Sequence, residues 1–345
     1  KSTGAAINST DANGTVAIGY AALTALTDGV ANIAIGQNAG NEITTGDNNT
    51  VIGYEAGSEL KDDLNNTFLG AYAGYMVESA ENTFIGVEAG EGSSGNTTGA
   101  QNTSVGYRSM EAYTTATKNV AVGNAALQLN TTGNQNVSIG FRVSQYNTVG
   151  SNQVVIGNEA GRYATGSSNT FVGANAGKGG TTSAPFSSGV YNTAIGYEAL
   201  KRFTSGQNNT ALGKGALAYV TTGGSNIGIG YQAGGNTTTA NGNIYIGQST
   251  GNNNNSGIEN VCVGEYNYAH PTGIVNFRNV TTLGSNAGRY ATGSYNTFLG
   301  SYAGEGNSSA PHSSGQYNTA VGYQTLDAMT TGNTNTAVGS QAGSA

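Results

Sequence analysis

The sequence predicts an all-β protein, a parallel β-solenoid (β-roll) of about 19 coils with a basic repeat of 17 residues. Three observations support this fold class. A glycine follows a short β-branched run at a commonest step of 17 residues, asparagine recurs at one fixed position of the repeat, and 56 of 345 residues are glycine. Such repetition is typical of stacked units that pack only on their neighbours, so we expect one repetitive domain over 1–345.

The glycine that ends each β-branched run is called the marker glycine. The residue before it is always Ile, Val or Leu, and the residue three before it is always Val, Ile or Thr. Because side chains alternate along a strand, these two share a face, and we expect that face to line the inside of the coil. The residue between them varies, as at Cys262, and is expected to point outward. The marker glycines are Gly19, Gly36, Gly53, Gly70, Gly86, Gly106, Gly123, Gly140, Gly157, Gly173, Gly196, Gly213, Gly230, Gly247, Gly264, Gly284, Gly300, Gly322 and Gly339.

The remainder of the repeat predicts the corners of the coil. Asparagine stands four residues before the marker glycine except at Thr15, Gln153 and Val280, and stacked asparagines can hydrogen-bond from coil to coil. A glycine commonly follows two threonines, as at Thr44–Gly46, and can supply the positive φ of a turn. We therefore expect a strand, a glycine bend, a second short strand, a Thr-Thr-Gly turn and an asparagine corner.

Three segments lengthen the coil and are predicted to be insertion loops. The second and third each carry Ser-Ala-Pro followed by an aromatic or imidazole side chain and then Ser-Ser-Gly. Loops on a rigid scaffold are where recognition usually lies, so these side chains are candidate contacts to a receptor or partner chain. The loops lie near residues 91–100, 178–190 and 305–316, and the candidate contact residues are Pro185, Phe186, Pro311 and His312.

Aromatic residues at the variable middle position of the strand suggest self-association. If this position faces outward, a stripe of aromatic rings is too apolar to remain in water. We therefore expect these rings to lie between chains of a homotrimer or under the insertion loops. The candidate inter-chain aromatics are Phe68, Phe84, Phe171, Tyr245 and Phe298.

Composition and motifs favour a protein that is not an enzyme and uses no cofactor or metal. The net charge is −7 without clustered basic residues, which argues against a nucleic-acid partner, and no apolar run approaches a membrane span. His270 and His312 lie in different coils, and no catalytic, zinc or calcium motif is recognisable.

The unit Asn192–Gly206, with its Asn-Thr-Ala-Ile-Gly core, resembles the repeats of bacteriophage tail fibres. The Val-Ala-Ile-Gly run at Val16–Gly19 is similar to the YadA-like head of trimeric autotransporter adhesins. The resemblance covers essentially the whole chain. It implies a parallel β-roll, assembled as a homotrimer, that adheres or projects a binding tip from a virion or an extracellular surface.

The favoured function is accordingly a structural fibre or adhesion protein, a shaft that presents binding loops to a cell-surface glycan or protein receptor. The alternative is an extracellular solenoid that polymerises end to end, because open coil ends can template addition. An ice-binding solenoid with threonine ladders and a polysaccharide-cleaving spike with paired carboxylates are further alternatives.

Overall fold

The computed structural model describes residues 13–93, 97–180, 186–268, 276–308 and 313–344. Over these ranges the protein is all-β, with nineteen parallel strands forming a β-solenoid of about 18 turns, about 17 residues per turn and no helix. The predicted fold class is therefore confirmed. The chain divides into two compact units, residues 1–169 and 170–345, and each is described by itself.

Every strand has three residues and ends immediately before a marker glycine. The first unit contains β1 (Val16–Ile18), β2 (Ile33–Ile35), β3 (Thr50–Ile52), β4 (Thr67–Leu69), β5 (Thr83–Ile85), β6 (Thr103–Val105), β7 (Val120–Val122), β8 (Val137–Ile139) and β9 (Val154–Ile156). Successive strands pair in parallel, with each repeat position beside its own equivalent, as in Thr67 beside Thr83.

The second unit repeats the same arrangement. It contains β10 (Thr170–Val172), β11 (Thr193–Ile195), β12 (Thr210–Leu212), β13 (Ile227–Ile229), β14 (Ile244–Ile246), β15 (Val261–Val263), β16 (Thr281–Leu283), β17 (Thr297–Leu299), β18 (Thr319–Val321) and β19 (Thr336–Val338). Coils of different length keep this register, because Thr170 still pairs with Thr193 across an insertion loop.

The corners of each coil depend on backbone conformations with positive φ. The marker glycines have φ between 126° and 143°, and a Cβ on Gly36 would collide with the carbonyl of Gly53 in the next coil. Asn38, Gly40 and Asn48 of the same coil adopt φ of 58°, 54° and 57°. The segment after the marker glycine is thus a series of tight turns, and the second short strand that the sequence suggested is absent from the described coils.

Positive φ is unfavourable for residues other than glycine, by roughly 1–2 kcal/mol each. Hydrogen bonds between coils offset this cost. The amide of Asn38 donates to the carbonyl of Tyr20 at 2.8 Å, and the amide of Asn48 donates to the carbonyl of Val30 at 3.0 Å. Main-chain hydrogen bonds therefore run from coil to coil in the corners as well as between the strands.

The prediction of which strand face lines the coil was wrong. The middle residue of the strand points inward, as Phe68 and Ala194 do at 0% exposure, while the residues before and after it lie on the outer surface. Alternation along a strand separates two faces without telling which one is inside. Cys262, expected to be outward, is likewise buried.

The five aromatics predicted to lie between chains are consequently inside the coil, each at 0% exposure: Phe68, Phe84, Phe171, Tyr245 and Phe298. Two of them, Phe68 and Phe84, stack on each other from coil to coil. The rings of Phe68 and Phe84 are parallel with centroids 5.1 Å apart, and Phe84 meets Tyr113 at 5.5 Å. A ring fits because the facing residue, six positions later, is glycine; a Cβ on Gly304 would lie 2.6 Å from the Phe298 ring.

The predicted asparagine ladder is confirmed. The backbone amide of Asn49 donates to Oδ1 of Asn32 at 2.9 Å, and Nδ2 of Asn49 donates to the same oxygen at 3.2 Å. Asn209 and Asn192 repeat the bond at 3.0 Å in the second unit. The ladder is flawed at Gln153, whose buried side-chain amide has no hydrogen-bond partner for either its oxygen or its nitrogen.

Candidate functional site

The described parts of the insertion loops are fastened to the coils. In the loop at 178–190, the buried hydroxyl of Ser187 donates to the carbonyl of Phe203 at 2.8 Å. In the loop at 305–316, Ser313 forms a parallel bridge with Ala291, and Thr97 of the first loop forms one with Val77. Each loop therefore rejoins the solenoid at a fixed point.

Most of the predicted contact residues of these loops lie outside the described residues: Pro185, Pro311 and His312. Phe186 is described and is half-buried. Receptor contact by the loops therefore stays a prediction.

The first and third residues of the strands form a continuous surface on the outside of each unit, which we call the outer apolar face. All first residues are Thr, Val or Ile, and all third residues are Ile, Leu or Val, so no charged or strongly polar residue interrupts the face in any described strand. Leu69 is 45% exposed in the first unit, and Ile195 and Leu283 are 39% and 49% exposed in the second.

The size of this face decides its interpretation. Nine strands spaced at about 4.8 Å, with a face about 10 Å wide, give roughly 400 Å² in the first unit alone. A typical monomer's largest apolar patch is about 300–600 Å², and a patch of that size commonly marks an interaction site. Each unit alone reaches that size, so the outer apolar face is the main candidate interaction surface.

Sequence reasoning found the residues of this face but placed them inside. A signal for the correct assignment is present in the sequence, because in most coils the middle strand residue varies inversely in size with the residue six positions later. Phenylalanine is matched by glycine, as in Phe171 and Gly177, and alanine by leucine, as in Ala211 and Leu217. Such size compensation is expected only between side chains that share one closed interior.

The polar and charged residues concentrate on a second surface, formed by the second and fifth residues after each marker glycine and called here the polar edge. In the first unit, Nη1 of Arg162 lies 2.6 Å from Oε1 of Glu159. In the second unit, Nζ of Lys201 lies 2.7 Å from Oε1 of Glu198, and this hydrogen bond lowers the pKa of Glu198. Ion pairs therefore occur on the polar edge of both units.

One group on the polar edge has the composition of a cation site. Carboxylate oxygens of Glu88, Glu91 and Glu111 lie within 4.8 Å of one another. Arg108 already fills this position, with its Nε 2.5 Å from Glu88 and 3.8 Å from Glu111. Burial raises the pKa of Glu91. The group is best described as an ion-pair network.

No protein-family model and no curated protein sequence is similar to the chain. Among the described residues, no helix is long and apolar enough to cross a membrane. Function must therefore be inferred from the two surfaces and from the resemblance of the repeats.

Proposed function

We propose that the chain is the shaft of a fibre or adhesion protein that assembles as a homotrimer through its outer apolar face, without catalytic activity. The observation that supports this most is the uninterrupted row of aliphatic and threonine side chains in every described strand. Burying about 400 Å² of apolar surface contributes about 10 kcal/mol before the costs of association. The repeat resemblance to tail fibres and trimeric adhesin heads supports three chains rather than two.

Parallel, in-register association suits a face of this kind. If three protomers run in the same direction around one axis, each coil meets the equivalent coils of its two partners. The same aliphatic residues then face one another along the whole contact, as closed cyclic symmetry requires. Strand residues that are half-exposed in the single chain would be buried in such an assembly.

The measurement that tests this assembly is the native mass of the full chain. One chain has a mass of 34.6 kDa, and a trimer has three times that, about 104 kDa. The double variant Leu69→Lys, Leu212→Lys places two charges on the outer apolar face and should give a folded monomer. Asn208→Lys is the matched control, because Lys118 occupies the equivalent exposed corner position of another coil.

Three outcomes contradict the proposal. A wild-type mass of 34.6 kDa at micromolar concentration would show that the face does not associate. A ladder of masses that grows with concentration would favour the end-to-end filament. A double variant that remains trimeric would place the interface elsewhere.

The assembled shaft is proposed to present its insertion loops to a cell-surface glycan or protein receptor, outside the cell or on a virion. The anchoring of Ser187 and Ser313 supports this, because loops fixed at the base can hold a defined contact surface. Replacing residues 181–185 and 309–312 by short glycine linkers should preserve the mass and abolish adhesion to target cells. Undiminished adhesion by that variant would assign recognition to another part of the protein.

A further inference from the structure

A groove on the polar edge of the second unit has features that neither the solenoid nor self-association requires. It spans the coils of β11 to β14 and has a volume of about 130 Å³, below the roughly 300–1,000 Å³ of sites that enclose a whole ligand, so it fits one part of a larger ligand. Tyr219 and Tyr231 form two of its walls, and Asn236 and Asn252 contribute amides to its lining.

The groove exists because three side chains are missing from the polar edge. The fifth residue after the marker glycine is long in most other coils and bonds its neighbours: Nε2 of Gln145 donates to Oε1 of Gln128 at 2.7 Å. In the coils of β12 and β13 this position is Ala218 and Gly235, and the second position of the β12 coil is Gly215. These three residues form the floor of the groove.

Positive charge gathers around the groove although the chain carries a net charge of −7. Between residues 170 and 258 there are four basic residues and one acidic residue, Glu198, giving +3 for the segment and −10 for the rest. The carboxylate of Glu198 is held by Lys201 at 2.7 Å. Glu198 and Lys214 both line the groove, and because the Glu198 carboxylate is already paired with Lys201, an anion is the ligand that complements Lys214.

Lys214 is placed between aromatic rings. Its ammonium lies 5.9 Å from the ring centroid of Tyr197 and 5.6 Å from that of Tyr231. The guanidinium of Arg202 lies 4.5 Å from the ring centroid of Tyr219, another lining residue. These contacts hold both cations beside ring faces, so a ligand can meet an aromatic surface and a positive charge at the same time.

The chemistry of the lining identifies the class of ligand. Aromatic faces receive the C–H surface of a sugar ring, side-chain amides bond its hydroxyls, and a lysine pairs with a carboxylate. A phosphate site would instead use converging backbone amides or a bidentate arginine, and a nucleic-acid site a row of basic residues. We propose that this groove binds an acidic saccharide, with its carboxylate at Lys214 and a sugar ring against Tyr231.

This proposal is independent of trimer formation, because all the residues involved come from one chain. Calorimetry measures the binding of tetragalacturonic acid and of hyaluronan tetrasaccharide to the full chain. Fully methyl-esterified tetragalacturonate, which carries no charge, is the control ligand. Lys214→Gln should weaken binding of the acidic sugars about tenfold and leave the ester unchanged. Ala218→Gln fills the groove with the side chain that other coils carry there, and should abolish binding.

The control is Lys118→Gln, which removes one exposed lysine from the first unit and should change nothing. Native mass and circular dichroism of the same samples separate loss of the groove from loss of assembly or folding. Any one of four results overturns the proposal. The first is that neither acidic sugar binds at concentrations up to about 10 mM, and the second is that the methyl ester binds as tightly as the acid. The third is that Ala218→Gln binds the acidic sugars as tightly as the wild type, and the fourth is that the chain binds single-stranded poly(dT) but neither sugar.

Discussion

Truncating adjacent residues of β4 tests which strand face forms the core. The ring of Phe68 is at 0% exposure, stacks on Phe84 at 5.1 Å, and packs against the backbone of Gly74, whereas Leu69 is 45% exposed. Phe68→Ala removes a buried ring and leaves a cavity in a narrow interior, at a cost of about 3–5 kcal/mol. Loss of the stacked pair adds about 0.5–1.5 kcal/mol.

Leu69→Ala should cost far less in the isolated chain. Fully burying a leucine side chain contributes about 1.5–3 kcal/mol, and roughly half of this side chain remains in water, so the expected loss is about 1 kcal/mol. Urea unfolding of both variants at several protein concentrations separates the folding of one chain from any contribution of association. Hydrogen exchange at the amides of β4 and β5 then localises the effect.

One result would refute this assignment of the core. If Leu69→Ala destabilises the chain as much as Phe68→Ala at concentrations where both are monomeric, the residues flanking the middle position form the core after all. The same comparison applies to Ile195, which precedes the marker glycine Gly196 and was therefore expected inside the coil. Ile195 is 39% exposed, so Ile195→Asp should disturb association more than folding.

Three further predictions concern buried polar groups. Gln153→Asn should stabilise the first unit by about 1–2 kcal/mol, because it replaces an unpaired buried amide with the ladder residue; an unchanged or lower melting temperature would contradict this. Burial raises the pKa of Cys262 to about 12, so the native protein should not react with a thiol reagent at neutral pH, and rapid labelling before unfolding would refute it. Burial also raises the pKa of Tyr113, Tyr245 and Tyr268 above their ordinary value near 10. Their contribution to stability is complete below about pH 10 and is lost as pH rises toward the folded-state pKa, so the melting temperature should fall between about pH 10 and 11; a constant midpoint would contradict the assignment.

The period of the repeat, and with it the parallel register, could be predicted from the sequence because each coil must place equivalent backbone atoms beside one another. No other residue can replace a marker glycine, since a Cβ at Gly36 would overlap the carbonyl of Gly53 in the next coil. The asparagine ladder was predictable for a similar reason. The side chain of Asn49 donates a hydrogen bond to that of Asn32 in the neighbouring coil, and such bonds continue along the solenoid only if every coil carries asparagine at this position.

The inside and outside of the strand could not be assigned from alternation alone. In most soluble sheets the β-branched face is buried, and the residues flanking Phe68 satisfy that pattern. In a thin coil the interior has room for one strand side chain per turn, and its neighbours on both sides are left outside. The pairing of Cys262 with Tyr268, six residues later, shows the same inverse relation of sizes as phenylalanine with glycine. Comparing the coils with one another would therefore have revealed the interior.

The candidate groove could not be predicted from the sequence either, because it forms where three positions of the polar edge carry small residues instead of long side chains. Gly215 and Gly235 resemble the many glycines that serve the corners, and Ala218 resembles the small residues of the core. Only the alignment of the coils along the polar edge shows that long side chains normally stand at these positions. The clustering of basic residues around Glu198 was visible in the sequence, but its meaning depends on which coils lie side by side.

The column of marker glycines also constrains how such a gene can change. A change of one residue in a corner is tolerated, since the 16-residue step from Gly70 to Gly86 keeps Thr67 beside Thr83, but an insertion within a strand would separate its middle residue from the marker glycine. Removal of one whole coil instead leaves the two flanking coils with matching partners, including a matching asparagine. Unequal recombination between repeats should therefore yield folded proteins that differ in length by complete turns, so length can vary in discrete steps while the local structure is inherited intact.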